Sequence, residues 1–257
     1  MEYVVVCLVA LLTSGLTLFS GFGLGTLLLP AFLLFFPADL SVAMTAVVHF
    51  LNNLFKLVLL GRYADIQVVI RFGIPAVVAA FGGASLLFLV SDLHAITSYA
   101  LFGMELLITP VKALMGMLIA AFAIIEVAPS LQHLEFDRKY LPLGGILSGF
   151  FGGLSGHQGA LRSAFLVRAG LSKEAFIATG VVIACLVDIT RLSVYTGHLS
   201  AAGLSQNLPL LAAATLSAFL GVYLGNRLLK KMTLRSIQMI ISVLLFVVAI
   251  GIGSGML

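Results

Sequence analysis

The sequence predicts an all-α, polytopic helical membrane protein, with about eight transmembrane helices in two similar halves and a glycine-broken first helix in each. Three observations predict it. Of 257 residues, 61% are hydrophobic and 9% charged, with a mean hydropathy of +1.19, and a soluble domain of that composition could not keep its surface solvated. The apolar runs reach the roughly 20 residues that a helix needs to cross the hydrocarbon and lack the short alternation of an outer-membrane strand. A glycine-rich apolar passage also occurs twice, as Ser20-Gly21-Phe22-Gly23-Leu24-Gly25 and as Ser148-Gly149-Phe150-Phe151-Gly152-Gly153-Leu154-Ser155-Gly156.

From Tyr3 to Phe36 the chain is almost uninterrupted apolar sequence. As one helix it would run roughly 50 Å against a hydrocarbon thickness of roughly 30 Å, so it must break, and Gly21 to Gly25 is the place. Further spans are expected at Ser41 to Leu60, Ile66 to Val90, Tyr99 to Val127 with a kink at Pro110, Leu141 to Val167 broken by glycines, Phe176 to Val194, Leu208 to Leu229 and Leu234 to Ile252. Met1-Glu2-Tyr3 lacks the positive region of a secretory signal, so the first helix is expected to be retained.

The most polar connector, residues 134–140, falls near the midpoint and divides the chain into half-repeats at 1–133 and 141–257. Leu40-Ser41 and Leu171-Ser172 open corresponding helices, Thr45 and Thr179 follow, and Gly61 and Gly197 close them. If each broken segment crosses once, the loops of one face carry Arg162, Arg168, Lys173, Arg227, Lys230, Lys231 and Arg235. The other face carries Arg62, Arg71, Arg138 and Lys139. The positive-inside rule then puts the first face in the cytoplasm and both termini outside. An odd number of crossings per half would invert the second repeat, an even number would not. The net charge of +4 is accounted for by these loop bases, so no nucleic-acid partner is expected.

Each half carries polar residues within an apolar helix. Thr45, His49, Asn53 and Lys56 follow spacings that share one helical face, as do Cys185, Asp188, Arg191 and Tyr195. An unpaired charge in hydrocarbon costs about 2.5 to 3.5 kcal/mol on insertion scales, so such residues face a cavity or a partner. Lys56 and Arg191 are the expected anion ligands, joined by Asn53, Asp188 and Tyr195. Both bases also lie a turn or two from an expected helix end, where long side chains snorkel to the interface, and Asp188 with Arg191 fits a structural pair equally. The glycine segments offer backbone N–H groups free of Cβ, with Gly21, Gly23 and Gly153 as ligand positions and Ser155, His157 and Gln158 as added donors. Glycines that merely allow close helix packing are the alternative. His49, His157 and Asp188 are the proton-coupling candidates, with Glu105 and Glu126 more remote ones.

Other classes fit less of the chain. Gly153-Leu154-Ser155-Gly156 matches the G-x-S-G of a rhomboid-like intramembrane serine protease, for which Ser155 would be the nucleophile and His198 the base, but that reading leaves the repeat and the two bases unexplained. No phosphate-binding P-loop occurs and no His/Cys cluster has metal-ligand spacing, so no cofactor and no metal are expected. Cys7 and Cys185 lie inside apolar spans, where a thiol behaves as a small hydrophobe. An anion channel shares the ligands of a transporter and stays open.

These residues resemble the sulfite exporter TauE/SafE family of membrane permeases. The carriers are Ser20 to Thr26, Thr45, Asn53, Lys56 and Gly61, then Ser148 to Gly156, Thr179, Asp188, Arg191, Tyr195 and Gly197, over nearly the full length. The resemblance implies export of sulfite or a small organosulfur anion such as a sulfonate across the bacterial inner membrane, by a multi-pass protein that is not an enzyme. Its expected partners are that anion and membrane lipid, with a homo-oligomer left open. The chain departs from the family pattern at Ser155-Gly156-His157-Gln158-Gly159, which replaces a plainer run of glycines and small residues and bears on which anion is carried.

Overall fold

The computed structural model describes residues 1–20, 24–101, 104–128, 135–199, 204–228 and 234–256. The described chain is helical nearly throughout, in the order α1 (Glu2–Ser20), α2 (Leu24–Leu33), α3 (Ala38–Leu60), α4 (Ile66–Ser91), β1 (Thr97–Leu101), β2 (Met104–Ile108), α5 (Pro110–Val127), α6 (Leu141–Ser155), α7 (Gly159–Leu166), α8 (Lys173–Leu199), α9 (Leu208–Leu228) and α10 (Leu234–Gly253). Among the described residues, Ala38–Tyr63, Ile66–Ser91, Lys173–Thr196 and Leu204–Leu224 are long and apolar enough to cross a bilayer. The chain is a multi-pass membrane protein.

Local chemistry sets most of the boundaries. Asp65 caps α4, its Oδ1 accepting from the backbone N–H groups of Gln67 and Val68 at 2.9 and 3.1 Å. Ser172 does the same for α8 through the N–H of Ala175. The long first run ends α1 at Ser20 and restarts as α2 at Leu24, while Gly21 to Gly23 themselves lie outside the described residues. The second break falls at Gly156, whose φ of 82° closes α6 in the left-handed region that glycine adopts at little steric cost.

The expected span from Tyr99 to Val127 is not one helix. Its first third forms the antiparallel hairpin β1–β2, with Thr97 opposite Ile108 and Leu101 opposite Met104. Pro110 sits in the first turn of α5 rather than at a kink, and Thr109 caps it by accepting the Lys112 N–H. A proline lacks a backbone N–H, and the first helical turn has no use for one. The Tyr99 hydroxyl donates to the Ser254 carbonyl at 2.7 Å and ties the hairpin to the end of α10. Gly197 likewise does not close its helix, because α8 runs on to Leu199.

Helix packing crosses the midpoint of the chain. α4 packs along α6, α1 along α9, α3 along α8, and α5 along α10. The α4–α6 seam is made by glycines one helical turn apart. A Cβ on Gly145, Gly149 or Gly153 would collide with the carbonyls of Phe72, Ala76 and Ala80 in turn, and one on Gly83 with that of Phe150. Small residues allow this approach, which is how membrane helices gain contact when lipid is as apolar as their side chains. On the far side of α4, Ile66, Ile70, Ile74 and Val78 point outward one turn apart, as a lipid-facing stripe requires. The connector near the midpoint is packed as well: Phe136 stacks on Phe165 at 4.2 Å, and Arg168 donates to Glu135 at the surface.

Candidate functional site

The polar faces of α3 and α8 meet at the centre of the bundle. Thr45, His49, Asn53 and Lys56 are all buried, as are Asp188, Arg191 and Tyr195. Arg191 has no exposed surface at all, and Lys56 only 6%, so neither base snorkels to an interface. Burial of the whole stripe follows from its spacing of three and four residues along helices whose other faces meet lipid or apolar neighbours.

Asp188 is the hub. Its Oδ2 accepts from His49 Nδ1 at 2.7 Å, and a carboxylate can only accept there, so Nδ1 carries the proton. Its Oδ1 accepts from Arg191 Nε at 3.0 Å, and Nη2 of the same guanidinium lies 2.7 Å from that oxygen. Asn53 Nδ2 reaches Oδ2 at 3.5 Å and sits 3.2 Å from His49 Nδ1. A charge buried this deeply needs such compensation, because low dielectric strengthens both the attraction and the penalty of losing it.

The helix breaks surround this hub. Arg191 Nη1 donates to the Gly152 carbonyl at 3.4 Å, near the end of α6. A Cβ on Gly156 would come within 2.8 Å of Arg191 Nη1, and one on Gly25 within 3.1 Å of the Gly156 carbonyl oxygen. The start of α2 and the end of α6 therefore touch, with the guanidinium of Arg191 beside them. The Tyr195 hydroxyl donates to the Gly153 carbonyl at 2.5 Å, while its ring meets Phe88 edge-on.

On either side of the break, Ser155, His157 and Gln158 are all buried. Ser155 Oγ donates to the Phe151 carbonyl at 3.2 Å and lies 3.1 Å from His157 Nδ1, and the imidazole stacks on Phe122 with ring centroids 5.0 Å apart. Arg162, counted in the sequence among the loop bases, is buried in α7 instead, with its Nε against Gly180 of α8. It lies within electrostatic range of both Asp188 and Lys56. The segment from Gly159 to Leu166 is too short to register as a span, so a base inside it read as a loop residue. Its apolar flanks were the available signal.

The other expectations fall into place unevenly. Gly153 sits in the α4–α6 seam, where its missing Cβ serves packing. Glu105 lies exposed on β2, away from the polar centre. Gly21 and Gly23 lie outside the described residues, as do Lys230 and Lys231 and the side chains of Glu126, His198, Arg227 and Arg235. Among the described residues no group of His, Cys, Asp or Glu side chains converges as a metal site would, and Cys7 and Cys185 are free thiols.

The family model described as Sulfite exporter TauE/SafE matches residues 6–252, and the chain therefore belongs to that family. Among the curated proteins, none matches the chain.

Proposed function

From membership of a transporter family, we propose that this chain is a secondary transporter that exports sulfite or a small organosulfur anion, such as a sulfonate, across the bacterial inner membrane. The anion binds at the α3–α8 centre, where Lys56 and Arg191 supply positive charge and Asn53 and the backbone around the breaks supply hydrogen bonds. The observation that carries the reading is the burial of three bases in an apolar helical chain, Lys56 in α3, Arg191 in α8 and Arg162 in the short α7, with Arg191 beside the break at Gly156. Three bases are retained in such a place when something anionic visits.

The site lies between two half-repeats, residues 1–133 and 141–257. Reciprocal packing supports that division: α1 rests on α9 as α6 rests on α4, and α3 and α5 pack on their own counterparts, α8 and α10. Rocking of one half against the other would open the centre to each side in turn. An inside-negative potential favours anion export by about 2.3 kcal/mol per charge per 100 mV, so the reading requires no coupled ion. Where a proton is exchanged, the His49–Asp188 pair carries it, since it combines two titratable groups within hydrogen-bond distance.

A transporter is favoured over a Ser155 protease by the hydroxyl itself. It is fully buried, and a peptide bond has no path to it while the helices stay packed. The test is a binding screen of the purified protein against sulfite, sulfoacetate, taurine, sulfate and thiosulfate, repeated on Arg191→Ala. Saturable binding of a sulfur oxyanion that disappears in the variant supports the site. Absence of binding, or equal binding by the variant, overturns it.

A further inference from the structure

We propose that Gln158 and Arg162 form a polar subsite at the start of α7 for a sulfur oxyanion that brings a hydrogen-bond donor of its own, an O–H or an N–H. The inference rests on the anion-transport reading above and names the chemical class of anion that it admits.

The two residues are one turn apart on one face. The Arg162 N–H donates to the Gln158 carbonyl at 3.0 Å, which fixes that register. Gln158 is fully buried and Arg162 is 9% exposed. Among the described residues, Gln158 Nε2, Gln158 Oε1 and Arg162 Nη1 have no hydrogen-bond partner. Buried polar atoms almost always have one, so three orphans on one helical face point to a visiting ligand. Gln158 also stands at the positive end of the α7 dipole, where an anion is favoured.

Two glycines make room for these side chains. A Cβ on Gly152 would meet Gln158 Cβ at 3.0 Å and Cδ at 3.5 Å, and one on Gly180 would meet Arg162 Nε at 3.3 Å. The Gly152 carbonyl also accepts from Arg191, so Gln158 and the base already assigned to the anion both meet Gly152.

Arginine side chains only donate, and they match the oxygens of any oxyanion. A glutamine amide is different. Whichever way it is turned, it presents a donor and an acceptor, and a ligand that meets its acceptor must bring a proton. His157 Nε2 is a further buried atom with no partner among the described residues, a donor or an acceptor according to the tautomer. A fully deprotonated oxyanion would leave the Gln158 acceptor buried and unmet.

The donor can come from a protonated oxyanion such as hydrogensulfite, or from a hydroxyl or amino group on an alkanesulfonate. Calorimetric titration of the full chain in detergent separates these sources, using ethanesulfonate, isethionate and taurine as a matched series. Sulfite is added on either side of the pH at which it loses its last proton. Isethionate or taurine is expected to bind about tenfold or more tightly than ethanesulfonate, as one well-made hydrogen bond provides. If the protonated oxyanion is the source, the preference appears between the two forms of sulfite instead. In Gln158→Leu, or in Gln158→Met should the first variant fail to fold, the ratio collapses toward one, and Arg162→Gln weakens every anion about tenfold or more.

Binding without any preference for a donor, or a preference that survives both Gln158 variants, overturns the subsite. In that case loss of binding in Arg191→Ala still upholds the anion site. If no sulfur oxyanion binds the wild-type chain, both readings fall together.

Discussion

His49 and Asp188 stand 139 residues apart in the chain, yet Nδ1 of one lies 2.7 Å from Oδ2 of the other. Each sits within a long helix, so this contact joins α3 to α8, while the Arg191–Asp188 pair, within α8, holds the same carboxylate from the other side. Such a joint is held by geometry as much as by charge, and it is sensitive to loss of any one member.

Asp188→Asn is expected to abolish transport and to destabilise the protein by about 3 to 5 kcal/mol, because the Arg191 charge is left buried without its carboxylate. Replacing both members, as Asp188→Asn with Arg191→Met, should recover much of that stability while transport stays lost. Thermal unfolding in detergent and anion efflux from vesicles read the two effects separately. Equal stability of the single and double variants would show that the pair is not energetically coupled.

Gly156→Ala should lower stability by about 1 to 3 kcal/mol through the left-handed backbone alone, with a further loss from the Cβ pressing on Arg191 Nη1. Gly170 has a similar φ of 78° but nothing within 4 Å of an added Cβ. Gly170→Ala is therefore expected to show the backbone effect, about 1 to 2 kcal/mol, with transport intact. The comparison fails if both variants lose transport alike.

Gly149→Val should destabilise the α4–α6 seam by about 1 to 3 kcal/mol or more, since the Ala76 backbone leaves no room. Gly82, on the facing helix α4, meets open space, and Gly82→Ala should leave the melting temperature unchanged or slightly raised. A Gly149→Val protein as stable as the wild type would contradict the packing described.

Tyr195→Phe removes the hydroxyl that the Gly153 carbonyl accepts and keeps the ring against Phe88. A loss of about 0.5 to 1.5 kcal/mol is expected in thermal unfolding. A fluorophosphonate probe should leave the wild-type protein unlabelled at Ser155, and covalent labelling there would revive a serine-hydrolase reading.

The helices and the two polar faces were legible in the sequence because both depend on spacing along one element. Thr45 through Lys56, and Asp188 through Tyr195, repeat every three or four residues, and the buried face follows directly. Arg162 was not legible, because its burial depends on a short helix folding back after the break at Gly156. The hairpin at 97–108 was missed for a related reason: its apolar residues suit a membrane span, and only Thr109-Pro110 marked a new start. Gly153 divided the possibilities until its neighbour was known, since a missing Cβ serves ligand and packing alike.

The exchange of partners between α1 and α9, and between α4 and α6, bears on how the protein is made. When α4 leaves the ribosome, the helix that will cover its small-residue face has not yet been translated, and α1 waits longer still for α9. The first half must therefore persist in the bilayer with open seams, attended by lipid or by insertion machinery, until its complement arrives. The connector between the halves then governs how soon that meeting occurs, and a chain severed there would need both pieces in the same membrane at the same time.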